Sequence, residues 1–398
     1  METKRVLISG AGIAGPVLAY WLTKHNIKAT IIERAPSLRN TGQSVEVAGP
    51  SLKIIQKMGL EAKIKELGTH EAGLSFVDEQ DHAYAKLPIV EKGVTFTSEY
   101  EILRGFMIGI FYEETRAETE YVFGDYITSV EDDGSKVTVG FNKGETRDFD
   151  VLVIADGTNS STRTLVFPPA PIVSVGGYCC AFFSIPWMER DADWGRFYIK
   201  PGHQILLRPH GPSGTAAYLG VYGNDAKGLM ELPVKARKER LHQIFASAGW
   251  EAPRVLAGME IADDFYMTEL TQVKMKKFHQ GRVALLGDSA WCPSPWSGQG
   301  TTLSVVGAYV LAGELATHKS VEEALQSYKA RMLPYVEKCQ SLPPGIPGLA
   351  LPETAWGVWC FRTFMWFIIK TGILGLIGTI FAFFDIGQIK FDVPDYGL

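Results

Sequence analysis

Hydrophobic and polar positions change period several times along the chain, and each change predicts a different kind of element. Arg5–Ser9 is a short apolar run that ends at glycines. Val17, Leu18, Trp21 and Leu22 then recur at helical spacing, and Lys28–Glu33 is a second β-branched run. Apolar residues at i, i+3 and i+4 define one face of a helix, whereas a bounded β-branched run suits a buried strand. The opening therefore predicts a β-α-β unit. Helical patterns follow at Pro50–Met58 and Ala62–Leu67. Tyr126–Val130, Lys136–Phe141 and Phe149–Ile154 are strand-like, the first two joined across Asp132-Asp133-Gly134, which predicts a meander laid on a parallel sheet.

Residues 172–266 are richer in aromatics and short strands, at Tyr178–Ile185, Arg196–Lys200, Gln204–Arg208 and Ala216–Tyr222. This block predicts a separate antiparallel sheet. The opening style returns at Arg282–Leu286, followed by a Gly-rich loop and a helix over Thr301–Leu315. The expected fold class is α/β, with a discontinuous first domain (1–70, 98–171 and 267–345), an inserted second domain (71–97 and 172–266) and an apolar helical segment (346–398). Within that last segment Thr363–Phe384 is nearly unbroken apolar sequence, interrupted by Lys370 and weakened by Gly372, Gly375 and Gly378. Two readings fit it: a helix pair covering the first domain or a pocket entrance, or contact with a membrane surface.

At 398 residues the chain exceeds one ordinary core, and 46% hydrophobic with 21% charged residues reads as globular. A net charge of −5 without a basic stripe argues against a nucleic-acid partner. The five cysteines, Cys179, Cys180, Cys292, Cys339 and Cys360, form no metal-ligand spacing and suit a reduced compartment. Met1–Arg5 runs straight into an apolar strand without the pattern of a signal peptide. The expected location is cytoplasmic, peripheral on a membrane if the apolar tail inserts. Oligomeric state is left open.

Gly10-Ala11-Gly12-Ile13-Ala14-Gly15 is a GxGxxG string placed after a strand and opening a helix. Gly10 suits the tight turn, Gly12 lets a pyrophosphate approach the backbone, and Gly15 permits close helix packing. Ala14 lies in the first turn. Glu33 closes the second strand, where a carboxylate can bind both hydroxyls of an unphosphorylated ribose, as in FAD or NAD. Two further strings each follow a strand: Asp156-Gly157-Thr158-Asn159-Ser160-Ser161-Thr162-Arg163 and Gly287-Asp288-Ser289-Ala290.

With these motifs in order, the chain resembles the single-component FAD-dependent monooxygenases, the group of para-hydroxybenzoate hydroxylase and the tetracycline-inactivating monooxygenases. The resemblance runs over about residues 4–335. It implies a Rossmann-like FAD-binding domain of the glutathione-reductase type with an inserted antiparallel-sheet substrate domain. By the same resemblance Glu33 would hold the adenosine ribose, with Arg34 beside the adenine. Arg39 and Gly42 match the loop reaching the flavin ring, and Arg104 the arginine at the phosphate–ribityl region. Asp156 and Arg163 match a motif implicated in FAD and NADPH binding. Asp288 would bind the ribityl chain, and Pro295, Gly298, Gly300 and Thr301 would flank the isoalloxazine. The dipole of the following helix would favour the anionic reduced flavin.

The implied reaction is hydroxylation of a small hydrophobic, aromatic or polyketide-like secondary metabolite through a flavin hydroperoxide. NADPH would be the transient reductant and molecular oxygen the co-substrate, although no residue separates NADPH from NADH. No catalytic side chain and no metal site stands out. Arg196, Arg208, Tyr178 and Tyr222 fall in the strand block expected to floor the pocket, and Trp291 stands where many relatives carry histidine. Gly307 replaces a common aspartate. Both departures bear on substrate orientation and flavin mobility. Alternative readings are an epoxidase or reductase of an isoprenoid-like lipid, or a non-catalytic carrier like the Rab GDP-dissociation inhibitors.

Overall fold

The computed structural model describes residues 4–38, 42–89, 97–191, 193–209, 214–342, 345, 348–373 and 389–397. Its first sheet has the strand order His279–Gln280, Val283–Leu285, Val151–Ile154, Arg5–Ser9, Lys28–Glu33, Glu120–Phe123. The last five run parallel, with Ile8 in register with Val153 on one side and Ile31 on the other. Parallel strands covered on both faces need continuous apolar runs. Val6–Ile8, Val151–Ile154 and Val283–Leu285 supply them and are fully buried. The helices Ala14–Lys24 and Gly300–Thr317 pack together, with Trp21 edge-on to Tyr309 at 4.8 Å between ring centres. The expected meander is present with a different third strand: Arg147–Phe149 joins Ile127–Asp132 and Val137–Phe141, whereas Val151–Ile154, expected to continue from Phe149, belongs to the parallel sheet.

The second sheet has seven strands: Tyr266–Val273, Ile172–Ile185, Thr215–Val221, His203–Pro209, Trp194–Lys200, Gly73–Val77 and Ala83–Pro88, in that order. All neighbours are antiparallel except Trp194–Lys200 with Gly73–Val77. Strand alternation gives this sheet two different faces. Cys179, Ala181 and Phe183 point to the outer face, under the helices Val234–Phe245 and Ala252–Ile261. Tyr178, Cys180 and Phe182 point inward, where they meet Trp296 of the first domain.

Two expected boundaries move. Tyr266–Val273 belongs to the seven-stranded sheet, so the insertion extends past residue 266 to Val273. Its pairing with Ile172–Ile185 buries Met267, Leu270 and Val273, which a boundary at 267 would have left without a partner strand. The segment 346–398 is also divided between the two sheets. Helix Ala355–Thr371 lies on the seven-stranded sheet through Val358, Phe361, Met365 and Ile369. Residues 389–397 return to the first domain, where the Tyr309 hydroxyl donates to the Pro394 carbonyl at 2.9 Å and the Tyr396 hydroxyl donates to Glu314. Much of the apolar run 363–384 lies outside the described residues. No described helix is long and apolar enough to cross a membrane.

Candidate active site

The glycine string divides its work between packing and exposure. Gly10 sits at φ +112°, and a Cβ there would meet the Ala155 carbonyl oxygen at 2.5 Å. A Cβ on Gly15 would lie 2.1 Å from the Gly10 oxygen. Both are therefore required by close backbone approach. Gly12 is different: its nearest neighbour in that direction is Arg104 Nη2 at 3.8 Å, so this backbone faces an open cradle. Ala14 begins the helix and is buried, and the helix has no side-chain cap. Its first-turn amides and positive dipole end suit an anion. Glu33 is pinned opposite, its carboxylate accepting from the backbone N–H of Ala11 and of Ala35, each at 2.9 Å. Arg34 donates to the Ser161 hydroxyl and lies over the Tyr126 ring at 5.3 Å.

Arg104 begins the helix Arg104–Thr115, and its backbone N–H donates to the Gln43 carbonyl at 3.1 Å. Its side chain runs beside Gly42, which is at φ +131° and would place a Cβ 3.5 Å from Arg104 Cβ. Among the described residues the Arg104 guanidinium has no hydrogen-bond partner. It acts on Asp288, the first residue of a short helix after Gly287 at φ +66°. Burial pushes the Asp288 carboxyl up, with Arg104 pulling the other way. Gly298, at φ +65°, leads into the long helix whose first residues are Gly300 and the buried Thr301, again without a side-chain cap. Pro295 opens the preceding turn and is exposed. Arg39 lies outside the described residues.

Asp156 Oδ1 is buried without a protein partner. Arg163 has a more internal task than expected. It is 3% exposed, and its guanidinium donates to the carbonyls of Thr158 at 2.9 Å and Ser289 at 2.7 Å. It thereby ties the loop after Ile154 to the loop after Leu285. The donors and acceptors left over fit an FAD molecule. The helix N-terminus, Gly12 and Arg104 would hold the pyrophosphate, Glu33 the ribose, Asp288 the ribityl hydroxyls, and the Gly298–Thr301 turn the ring edge.

The substrate expectations need three corrections. Arg208 is buried and donates to both oxygens of Glu71 at 2.8 Å, and to Glu101. Arg196 is likewise taken up by Asp191 and Asp81. Buried guanidinium groups need such partners, and neither is left to hold a phenolate. Trp291 is 1% exposed and packs inside the first domain, 4.7 Å from Phe278 between ring centres. A Cβ at Gly307 would lie 2.9 Å from the Trp291 ring. The two departures from the family pattern are thus one packing arrangement, with the missing side chain at 307 making room for the indole.

Tyr178 and Tyr222 do lie on the inner face. They stack at 6.1 Å, and Tyr178 is edge-on to Trp296 at 5.6 Å. The Tyr178 hydroxyl accepts from the Gln204 amide, and the Tyr222 hydroxyl donates to the Pro352 carbonyl at 2.7 Å. Phe182, Tyr218, Tyr266 and Trp296 were not among the candidates, because Tyr178–Phe183 is apolar on both faces of the strand and its sequence does not say which face turns inward. Phe182 and Tyr266 stack at 5.1 Å, and with Gly42, Ala216 and Tyr218 they line a cavity of about 10 Å³. The Ser44 N–H donates to the Tyr218 hydroxyl at 3.0 Å, joining the cradle loop to the sheet. A larger cavity of about 480 Å³ opens beside Gly176, Cys179, Lys227 and Glu269, away from every cradle residue. The Cys179 and Cys180 thiols are pushed by burial to about 11 and 12, which leaves them inert as nucleophiles at neutral pH.

Comparison with known proteins agrees with this geometry. Residues 3–341 match the family described as FAD binding domain. The chain is 34% identical to the FAD-dependent monooxygenase asL6 of Sarocladium schorii, over 93% of each chain. It is 36% identical to Monooxygenase CTB7 of Cercospora beticola, over 99% of this chain and 98% of that one. Among solved structures, tetracycline destructase Tet(51) superposes with a TM-score of 0.79 at 26% identity over 99% of both chains. HpxO of Klebsiella pneumoniae, complexed with FAD and uric acid, shares the fold with a TM-score of 0.72 at 20% identity, over 94% of this chain and 96% of that one. The chain belongs to the FAD binding domain family and is an FAD-dependent monooxygenase, which sets aside the carrier reading.

Proposed function

We propose that this monooxygenase hydroxylates a small hydrophobic, aromatic or polyketide-like secondary metabolite, with NADPH as transient reductant and dioxygen as co-substrate. The observation that carries the reading is the aromatic inner face of the seven-stranded sheet, where Tyr178, Phe182, Tyr218 and Tyr266 close against Trp296 and Gly42 of the cradle. Bound FAD supplies hydride acceptance and oxygen activation. The protein's part is positioning. Arg104 and the opening helix would hold the phosphates, and Asp288 the ribityl hydroxyls. The N-terminus of Gly300–Thr317 would favour negative charge on a flavin held there. The aromatic wall orients a planar substrate and keeps water away. In balance, one oxygen atom enters the substrate C–H bond, and the other leaves as water after taking up the hydride of NADPH and one proton from solvent.

Ring-shaped substrates are supported by the neighbours' own ligands, since Tet(51) is named for tetracycline and HpxO was solved with uric acid. Both are fused-ring compounds. The test is turnover under oxygen-18 gas with a panel of phenolic and polyketide compounds. Hydroxylation predicts a product carrying one heavy oxygen and NADPH consumption that rises with substrate. A product without the label, formed equally well under nitrogen, would establish a reductase instead.

A further inference from the structure

Helix Ala355–Thr371 presents two apolar stripes, and among the described residues only one has a partner. Val358, Phe361, Met365 and Ile369 pack on Phe76, Ala85, Leu87 and Ile199 of the seven-stranded sheet. The opposite side leaves Trp356 74%, Trp359 61%, Phe364 59%, Phe367 49% and Trp366 46% exposed. Contiguous exposed apolar surface of this kind marks an interaction site.

Its chemistry selects the partner. The helix carries Arg362 and Lys370 and no acidic residue, within a chain whose net charge is −5. Lys370 is the exposed cation of the outer face, its Nζ 4.8 Å from the Trp366 ring centre, and it complements anionic headgroups. Arg362 turns to the sheet side, 5.0 Å from the ring centre of Tyr84. Tryptophan beside basic side chains suits the boundary between headgroup and acyl chain, where the ring is half dry and the charge stays wet. The geometry allows only one attitude. Seventeen residues span about 25 Å at 1.5 Å each, short of the hydrocarbon core, and one side is fixed to the sheet. The helix can lie in the interface plane but cannot thread it.

We propose that the outer face of Ala355–Thr371 docks this enzyme on an anionic lipid surface. Trp356, Trp359, Phe364 and Phe367 enter the boundary region while Lys370 meets the headgroups. The docked helix rests on the sheet that carries the aromatic pocket wall, and Phe197 packs against both.

The test is cosedimentation of the full-length, FAD-loaded protein with phosphatidylcholine vesicles, with and without phosphatidylglycerol. Binding is expected to the anionic vesicles and to weaken as salt rises. The triple variant Trp356→Ser/Trp359→Ser/Phe367→Ser is expected to bind about tenfold more weakly or worse, with its melting temperature and flavin spectrum unchanged. If that variant does not fold, alkylation of Cys360 in the wild-type protein serves instead, because Cys360 lies on this helix and the other four cysteines are buried. Anionic vesicles should slow that reaction. No partition to either vesicle would overturn the proposal. So would a wild-type dimer that becomes a monomer in the variant, since a second copy would then cover the face.

Discussion

Arg104 opens a helix of the cradle and Arg208 lies on a strand of the seven-stranded sheet, and the protein treats them in opposite ways. Arg104 faces Gly12 and Gly42 with no hydrogen-bond partner among the described residues. Arg208 is buried and held by Glu71 and Glu101. Both arginines follow apolar strand sequence, so local pattern does not separate them. What separates them is the supply of carboxylates. A guanidinium with no carboxylate hydrogen-bonded to it, beside an uncapped helix end, is where an anion gains most. A guanidinium held by two is a brace. The brace also serves the cradle, because Glu101 lies on the strand Glu101–Leu103 that leads directly into Arg104.

The largest effect should come from removing the brace. Arg208→Met leaves two buried carboxylates unpaired, a cost of about 3–5 kcal/mol, to be seen as a marked fall in melting temperature. Burial is the main influence on Glu71 and raises its pKa, with Arg208 opposing. Without the guanidinium that rise is larger. A carboxyl whose folded value lies above its unfolded value stabilises while protonated, and loses that contribution as pH rises through the folded value. The deficit of Arg208→Met should therefore grow from acidic to neutral pH, and a pH-independent deficit would contradict the assignment.

The opposite result is expected in the cradle. Arg104→Met and Asp288→Ala should fold with little change in melting temperature but lose bound FAD. Each removes a charged hydrogen bond worth about 1.5–3 kcal/mol, which an FAD titration reads as a tenfold to hundredfold weakening. Normal flavin content in Asp288→Ala would refute the site.

Trp291 and Gly307 sharpen the comparison from inside the first domain. Gly307→Ala should destabilise the wild-type protein by about 1–2 kcal/mol through crowding of the indole. In a Trp291→Ala background the same change should cost clearly less, because only Leu286 Cδ1, at 3.1 Å, still crowds the new methyl and the better helix propensity of alanine offsets it. Additive effects in thermal melts would break the packing account. The smallest effect is expected from Tyr218→Phe. Loss of the Ser44 hydrogen bond should lower stability by about 1 kcal/mol while FAD still binds.

The cradle was largely legible because local patterns build it. Arg5–Ser9 and Lys28–Glu33 are apolar runs closed by a glycine turn and an acid, and the strands fall on those residues. Helix Val321–Cys339 was also readable, since Ser320 and Glu323 form a capping pattern in which Ser320 accepts from the Glu323 N–H. The substrate side was not legible in the same way. Which strand residues face the first domain depends on register across the seven-stranded sheet. Whether Arg208 is free depends on carboxylates 137 and 107 positions away in sequence. Trp291 and Gly307 looked like two unrelated departures until folding brought them into contact.

The most direct test of the central claim is the visible spectrum of the purified protein, followed by anaerobic NADPH and then air. The account predicts flavin absorbance that bleaches on reduction and returns with oxygen, in the wild type but not in Asp288→Ala. A colourless protein that takes up no added FAD would contradict it.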